Sequence, residues 1–98
     1  MAEDAAKVAP HVYKVLFENE QVRMLEVSMQ PGARSEMHSH PDYLVYMLSD
    51  GKVKLTTPSG EIAEVELTAG TPMWREAEEH STENVGRTAV HGLFFEPK

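Results

Sequence analysis

From residue 12 onward, apolar and β-branched residues come in short runs cut by turn residues. The runs cover 12–17, 21–29, 43–48, 52–57, 61–67, 72–75 and 88–95. Between them stand Asn19-Glu20, Pro31-Gly32, Asp50-Gly51, Pro58-Ser59-Gly60, Ala69-Gly70 and Val85-Gly86. Glycine and proline interrupt regular structure, so the runs read as strands and the breaks as turns. Asp50-Gly51 predicts a hairpin, because a type I′ turn needs positive φ at both central residues. Val53, Leu55 and Thr57 alternate with Lys52, Lys54 and Thr56, the pattern of a strand with one buried face. Ile62, Val65 and Leu67 interleave with Glu61, Glu64 and Glu66, with a slip at Ala63 that predicts a bulge. Residues 43–48 are apolar throughout and predict a strand buried on both faces. No segment carries a helical stripe over ten or more residues. Seven or eight short strands at about ten-residue spacing predict an all-β sandwich or small barrel. Residues 1–11, small and charged without periodicity, predict a flexible arm ahead of a single domain over 12–98.

Composition narrows the chemistry. Ninety-eight residues fit one domain, and 41% hydrophobic residues exclude a disordered chain. Nine Lys and Arg against 16 Asp and Glu leave a charge of −7, which argues against nucleic-acid or anionic-membrane partners. No apolar run approaches the roughly 20 residues that span a bilayer. Met1-Ala2-Glu3-Asp4 lacks the cationic and apolar regions of a signal peptide, so a cytoplasmic protein is expected. With no Cys, disulfides, thiolate catalysis and Cys-type zinc sites are excluded. No Ser-His-Asp set, phosphate loop or paired-carboxylate motif is evident. A metal would have to be held by nitrogen and oxygen, which directs attention to the five histidines.

His38 and His40 are separated by one residue, so an extended segment presents both imidazoles on one face. Such a pair is a common metal-site element, and also a common solvated one. The wider series is Pro31-Gly32, His38-Ser39-His40-Pro41, Gly51, Gly70, Pro72, His80, Asn84 and Gly86. It resembles the two motifs of the cupin superfamily, from about Gln21 to Phe95. Gly32, His38, His40 and Gly51 match the first motif at its spacings, and His80 and Asn84 match the end of the second. Two departures stand out. Leu44 occupies the slot where the first motif has a carboxylate or amide, with Asp42 two residues earlier. The spacer before His80 is shortened, and Arg75-Glu76-Ala77-Glu78-Glu79 replaces its Pro-x-Gly element.

The resemblance implies a cupin jelly roll with a metal held by His38, His40 and His80. Imidazole ligands suit Fe, Ni, Cu and Zn better than Mg or Ca. Fe(II) is the first candidate among divalent transition metals, with Ni, Mn, Zn and Cu behind it. Without the carboxylate such a centre keeps a higher positive charge and favours an anionic or enolisable small molecule. Some cupin dioxygenases acting on thiols or β-diketones use three histidines and no carboxylate, and this ligand set is similar to theirs. Two other readings stand beside a dioxygenase-like oxidoreductase. One is a non-catalytic module that binds a metal or small ligand; the other is a metal-free structural homodimer.

Alternation places Tyr46 on the face of Leu44, which predicts that it lines the barrel and offers its hydroxyl to a substrate. Arg34, in the segment leading to the histidine pair, is the candidate for positioning a substrate anion, with Arg23 and Arg75 as lesser ones. Glu79 or Glu83 could orient an imidazole. Asn84 reads as a turn or capping residue, His91 as packed or superficial, and Trp74 as core or subunit interface. His11 receives no role. The free edges of a small sandwich, and the habit of cupins, lead to the expectation of a homodimer.

Overall fold

A computed structural model describes residues 3–98. In chain order it contains α1 (Ala5–Val8), β1 (Tyr13–Glu18), β2 (Val22–Met29), β3 (Arg34–His40), β4 (Tyr43–Met47) and β5 (Gly51–Thr56). There follow β6 (Ile62–Leu67), β7 (Pro72–Arg75), β8 (Glu78–Asn84) and β9 (Val90–Pro97). The strands form two antiparallel sheets, a five-stranded one in the order β1-β2-β9-β4-β7 and a four-stranded one in the order β3-β8-β5-β6. This is the all-β jelly-roll architecture expected from the sequence. Nine strands are present among the described residues where seven or eight were expected. The additional ones are β3 and β8, whose sequences RSEMHSH and EEHSTEN lack an apolar run.

The sheets enclose Leu25, Val27 and Met29 of β2, Tyr43, Val45 and Met47 of β4, Val53 of β5 and Val90 of β9. Period-two alternation puts each of these trios on one face. Strand β4 departs from its expectation. It is buried on one face only, with Leu44 half-buried and Tyr46 exposed on the other. The Asp50-Gly51 hairpin is also corrected, since β4 and β5 lie in different sheets and Gly51 has no positive φ. Gly51 is small for another reason: a Cβ there would stand 2.9 Å from Val90 Cγ2. The turn expected at Pro58-Ser59-Gly60 does form, and the structure makes it the hairpin that joins β5 to β6, with Gly60 at φ 90°. No bulge falls at Ala63, where β5 and β6 stay in register. One lies instead between Ser35 and His38, where β3 carries an extra residue against β8.

From residue 3 onward the expected arm is docked, its first two residues lying outside the described ones. Asp4 caps α1 through a hydrogen bond from Ala6 N to its Oδ2, and Ala5 and Ala9 are fully buried in the core. Periodicity could not signal this, because a single helical turn is too short to show a repeat.

Candidate metal centre

Strands β3 and β8 bring the histidines together. His38 stands directly opposite His80 in the ladder, and His40 lies two residues further along β3 on the same face. The bulge before His38 re-aims that segment toward the interior. All three imidazoles are buried, with ring centroids 4.7, 4.9 and 5.1 Å apart. One nitrogen from each lies within 4.8 Å of the other two. His38, His40 and His80 would be the residues to hold a metal ion placed among these nitrogens.

Each ring has an acceptor behind its Nδ1. His38 Nδ1 donates to the Glu36 carbonyl at 2.7 Å, which leaves Nε2 with its lone pair, and the Tyr13 hydroxyl reaches that atom at 3.2 Å. His80 Nδ1 lies 3.2 Å from Glu78 Oε1, and His40 Nδ1 lies 3.8 Å from Glu96 Oε2. Both nitrogens of His40 and Nδ1 of His80 are buried without a hydrogen-bond partner among the described residues. Buried polar atoms in this state are costly, and a coordinated ion satisfies the imidazole lone pairs. Burial lowers the His38 pKa to about 4 despite the Glu36 carbonyl, and lowers that of His40 despite Glu96. Neutral imidazole is the ligating form, so an all-nitrogen site of this kind fits a first-row transition metal.

The carboxylates behind the rings are themselves paired. Glu78 accepts from Tyr43 Oη at 2.6 Å and from Arg75 Nε and Nη2 at 2.5 and 2.8 Å. Glu96 accepts from Arg23 Nε at 2.6 Å, and Arg23 in turn holds Asp4. Burial raises the pKa of Glu78, and its hydrogen bonds from Arg75 and Tyr43, with the His80 imidazole beside it, more than offset it, so the carboxyl stays well below the usual range. Glu96 is held below it in the same way, by His40 and Arg23 against burial. Between the sheets a cavity of about 50 Å³ runs from His80 and Arg75 past Val53 toward Met29 and Val90. A second recess of about 160 Å³ is lined by His80, Arg75 and Glu78, with Leu55 and Ile62 on its wall.

Several expectations are corrected by this geometry. Tyr46 is exposed and faces away from the histidines because β4 turns Tyr43, Val45 and Met47 inward. Arg34 is exposed at the start of β3, where its carbonyl meets His11 Nε2 at 3.1 Å. Tyr13 and Tyr43 supply the hydroxyls, and Arg75, a lesser candidate, lines the cavity in place of Arg34. Glu78 and Glu96 stand behind the imidazoles, whereas Glu83 pairs with Lys54 at 3.2 Å. Asp42 braces the loop by accepting from Ala77 N at 2.8 Å. Asn84 is structural, as expected. Its Nδ2 donates to the Met29 and Thr88 carbonyls, and its Oδ1 accepts from Gly86 N. His91 sits half-exposed against Glu26 at 2.9 Å, apart from the cluster. Tyr13 and Glu96 escaped sequence reading because each lies near a chain end, far in sequence from the histidines it meets.

Among the described residues, no helix is long and apolar enough to cross a membrane. No family model matches the chain, and no curated protein matches it. Solved structures do. A cupin domain from Bordetella pertussis Tohama I superposes with a TM-score of 0.81 at 29% identity, covering 100% of this chain and 97% of that one. An RmlC-like cupin family protein from Methanocaldococcus jannaschii, with a double-stranded β-helix fold, gives a TM-score of 0.67 at 14% identity over 88% of this chain and 78% of that one. A protein with a double-stranded β-helix domain from Klebsiella pneumoniae gives 0.67 at 17% identity over 86% and 73%. The more distant likenesses establish the shared fold, and the first adds sequence identity sustained along both whole chains. In fold, and at 29% identity to one of them in sequence, the chain is similar to small cupin domains, with three histidines clustered in its barrel.

Proposed function

We propose that this cupin-fold protein binds a divalent transition metal, Fe(II) first among them, through His38, His40 and His80. On this reading it acts as a dioxygenase-like oxidoreductase on a small anionic or enolisable molecule, and works as a homodimer. The observation that carries the reading is the triangle of buried imidazoles, with His38 and His40 kept toward the neutral form by burial and His80 on the wall of a cavity. The metal, when bound, supplies Lewis acidity and one-electron chemistry toward dioxygen. The chain's own residues orient and shield. Burial pushes the Tyr13 phenol up to about 12, so it stays protonated and donates a hydrogen bond at the cavity wall. Arg75 lines the cavity while its Nε and Nη2 are held by Glu78, so its guanidinium is the charged group nearest an anionic substrate on this reading. The apolar walls exclude water, which strengthens every electrostatic contact within.

One observation favours a second reading, a non-catalytic module that holds a metal or a small anion. A cavity of about 50 Å³ has room for only a few heavy atoms, well under the roughly 300–1,000 Å³ usual for ligand sites. Two measurements in sequence decide. Metal analysis of purified protein, before and after chelation and reloading with Fe(II), should give a single ion per chain. His38→Ala and His80→Ala should abolish that uptake. Stoichiometry near zero that reloading cannot change would end both metal readings in favour of the structural one. Oxygen uptake with a panel of thiols and β-diketones then separates catalysis from binding, since a loaded protein that consumes no oxygen is the module.

A further inference from the structure

The segment read from sequence as a loose arm is built into the histidine site at two points. Along the free edge of β3, Ser39 N donates to the Glu3 carbonyl at 2.8 Å, and Asp4 forms a parallel bridge with Ser39. Ser39 lies between His38 and His40, so the backbone of residues 3 and 4 clamps the stretch of strand that carries both imidazoles. The second point is a chain of charges. Asp4 Oδ2 and Oδ1 accept from Arg23 Nη1 and Nη2 at 3.0 and 2.5 Å. Arg23 Nε donates to Glu96 Oε1 at 2.6 Å, and Glu96 Oε2 faces His40 Nδ1 at 3.8 Å. Glu96 and His40 have side chains only 3% and 0% exposed, and neither of the facing atoms has a hydrogen-bond partner among the described residues.

We propose that Asp4 is a positioning residue for His40, acting through Arg23 and Glu96. Arg23 engages both carboxylates with one planar guanidinium, so the placement of Asp4 fixes the plane in which Glu96 meets the imidazole. A carboxylate facing Nδ1 as a charge 3.8 Å away favours the proton there, which leaves Nε2 as the free ligand atom and biases the ring's orientation. Arg23 and Glu96 are also direct partners across the β2–β9 ladder, so the central part of the relay stands on rigid strands. Only its first member comes from outside the barrel. The consequence for a metal rests on the three-histidine reading above; the orientation of His40 does not.

The test uses the full-length chain and two variants. Asp4→Asn removes the charge and half of the fork on Arg23 but keeps a good helix N-cap, so α1 is retained. Glu96→Gln removes the carboxylate that faces His40. In the metal-free protein, nitrogen NMR of the imidazoles should show His40 protonated at Nδ1 in the parent and shifted toward a tautomer mixture in Asp4→Asn, with His38 unchanged. Titration with Co(II) alone should show affinity about 10-fold weaker in Asp4→Asn and about 10–100-fold weaker in Glu96→Gln, with an altered Co(II) visible spectrum. The double variant should bind no more weakly than Glu96→Gln, because Asp4 acts only through it. An unchanged His40 tautomer together with unchanged affinity in Asp4→Asn overturns the relay, as do costs that add in the double variant. A parent chain that takes up no Co(II) yet shows the tautomer change overturns the metal reading and supports the relay.

Discussion

His38 shows what burial does to a single imidazole. Free in an unfolded chain it titrates near 6.5, whereas in the fold loss of hydration lowers it to about 4. Between those values the unfolded chain holds more protons than the folded one, so stability rises with pH. The contribution is fully present above 6.5 and is lost as pH falls toward 4, a change of about 3 kcal/mol for His38 alone. His40 shifts in the same direction, also through burial. Asp4, Glu78 and Glu96 are held below the usual carboxylate range by their partners, so their contributions are lost at still lower pH. Urea unfolding of chelated protein should therefore give a midpoint that drops steadily from about pH 6.5 to about pH 4. His38→Gln should flatten part of that slope. A midpoint constant across this window would contradict the buried neutral imidazole.

Strand β4 shows how one residue of phase decides which side chains meet the site. Its sequence YLVYM is apolar at every position, so alternation cannot choose a face. Packing chooses. Tyr43 turns inward, with its ring 4.7 Å from that of His40 and its hydroxyl on Glu78, while Tyr46 turns out. Tyr43→Phe should cost about 1–2 kcal/mol in chemical denaturation, because it removes a hydrogen bond to a charged group. Tyr46→Phe should stay within about 0.5 kcal/mol of the parent. The reverse ranking would place β4 in the other phase. The histidine strands present the opposite difficulty. They bury polar residues on the inner face, so β3 and β8 lack the apolar alternation by which β5 was recognised.

At the scale of the whole molecule, the five-stranded sheet leaves β1 as one edge and β7 as the other. Val15, Leu16 and Phe17 are 40%, 43% and 52% exposed on β1, and Trp74 is 51% exposed on β7. Apolar side chains along a free edge invite pairing with a second chain, the physical ground for the proposed dimer. Sedimentation should give twice the chain mass of 11.0 kDa. Phe17→Lys with Leu16→Lys should yield a monomer that keeps its far-ultraviolet spectrum. A parent chain that sediments as a monomer at high concentration removes the dimer.

The sequence by itself determined the all-β class, the pairing of His38 with His40 on one face, the turn at Gly60 and the structural role of Asn84. These follow from short-range rules, namely alternation, turn stereochemistry and motif spacing, which the chain carries locally. Only the tertiary structure decided that His80 stands opposite His38, that β4 presents Tyr43 and not Tyr46, and that Glu96 and Asp4 reach the histidines from the two ends of the chain. Those outcomes depend on which strands become neighbours. Strand order is set by the joint burial of all the apolar faces at once, and no local stretch of sequence contains it.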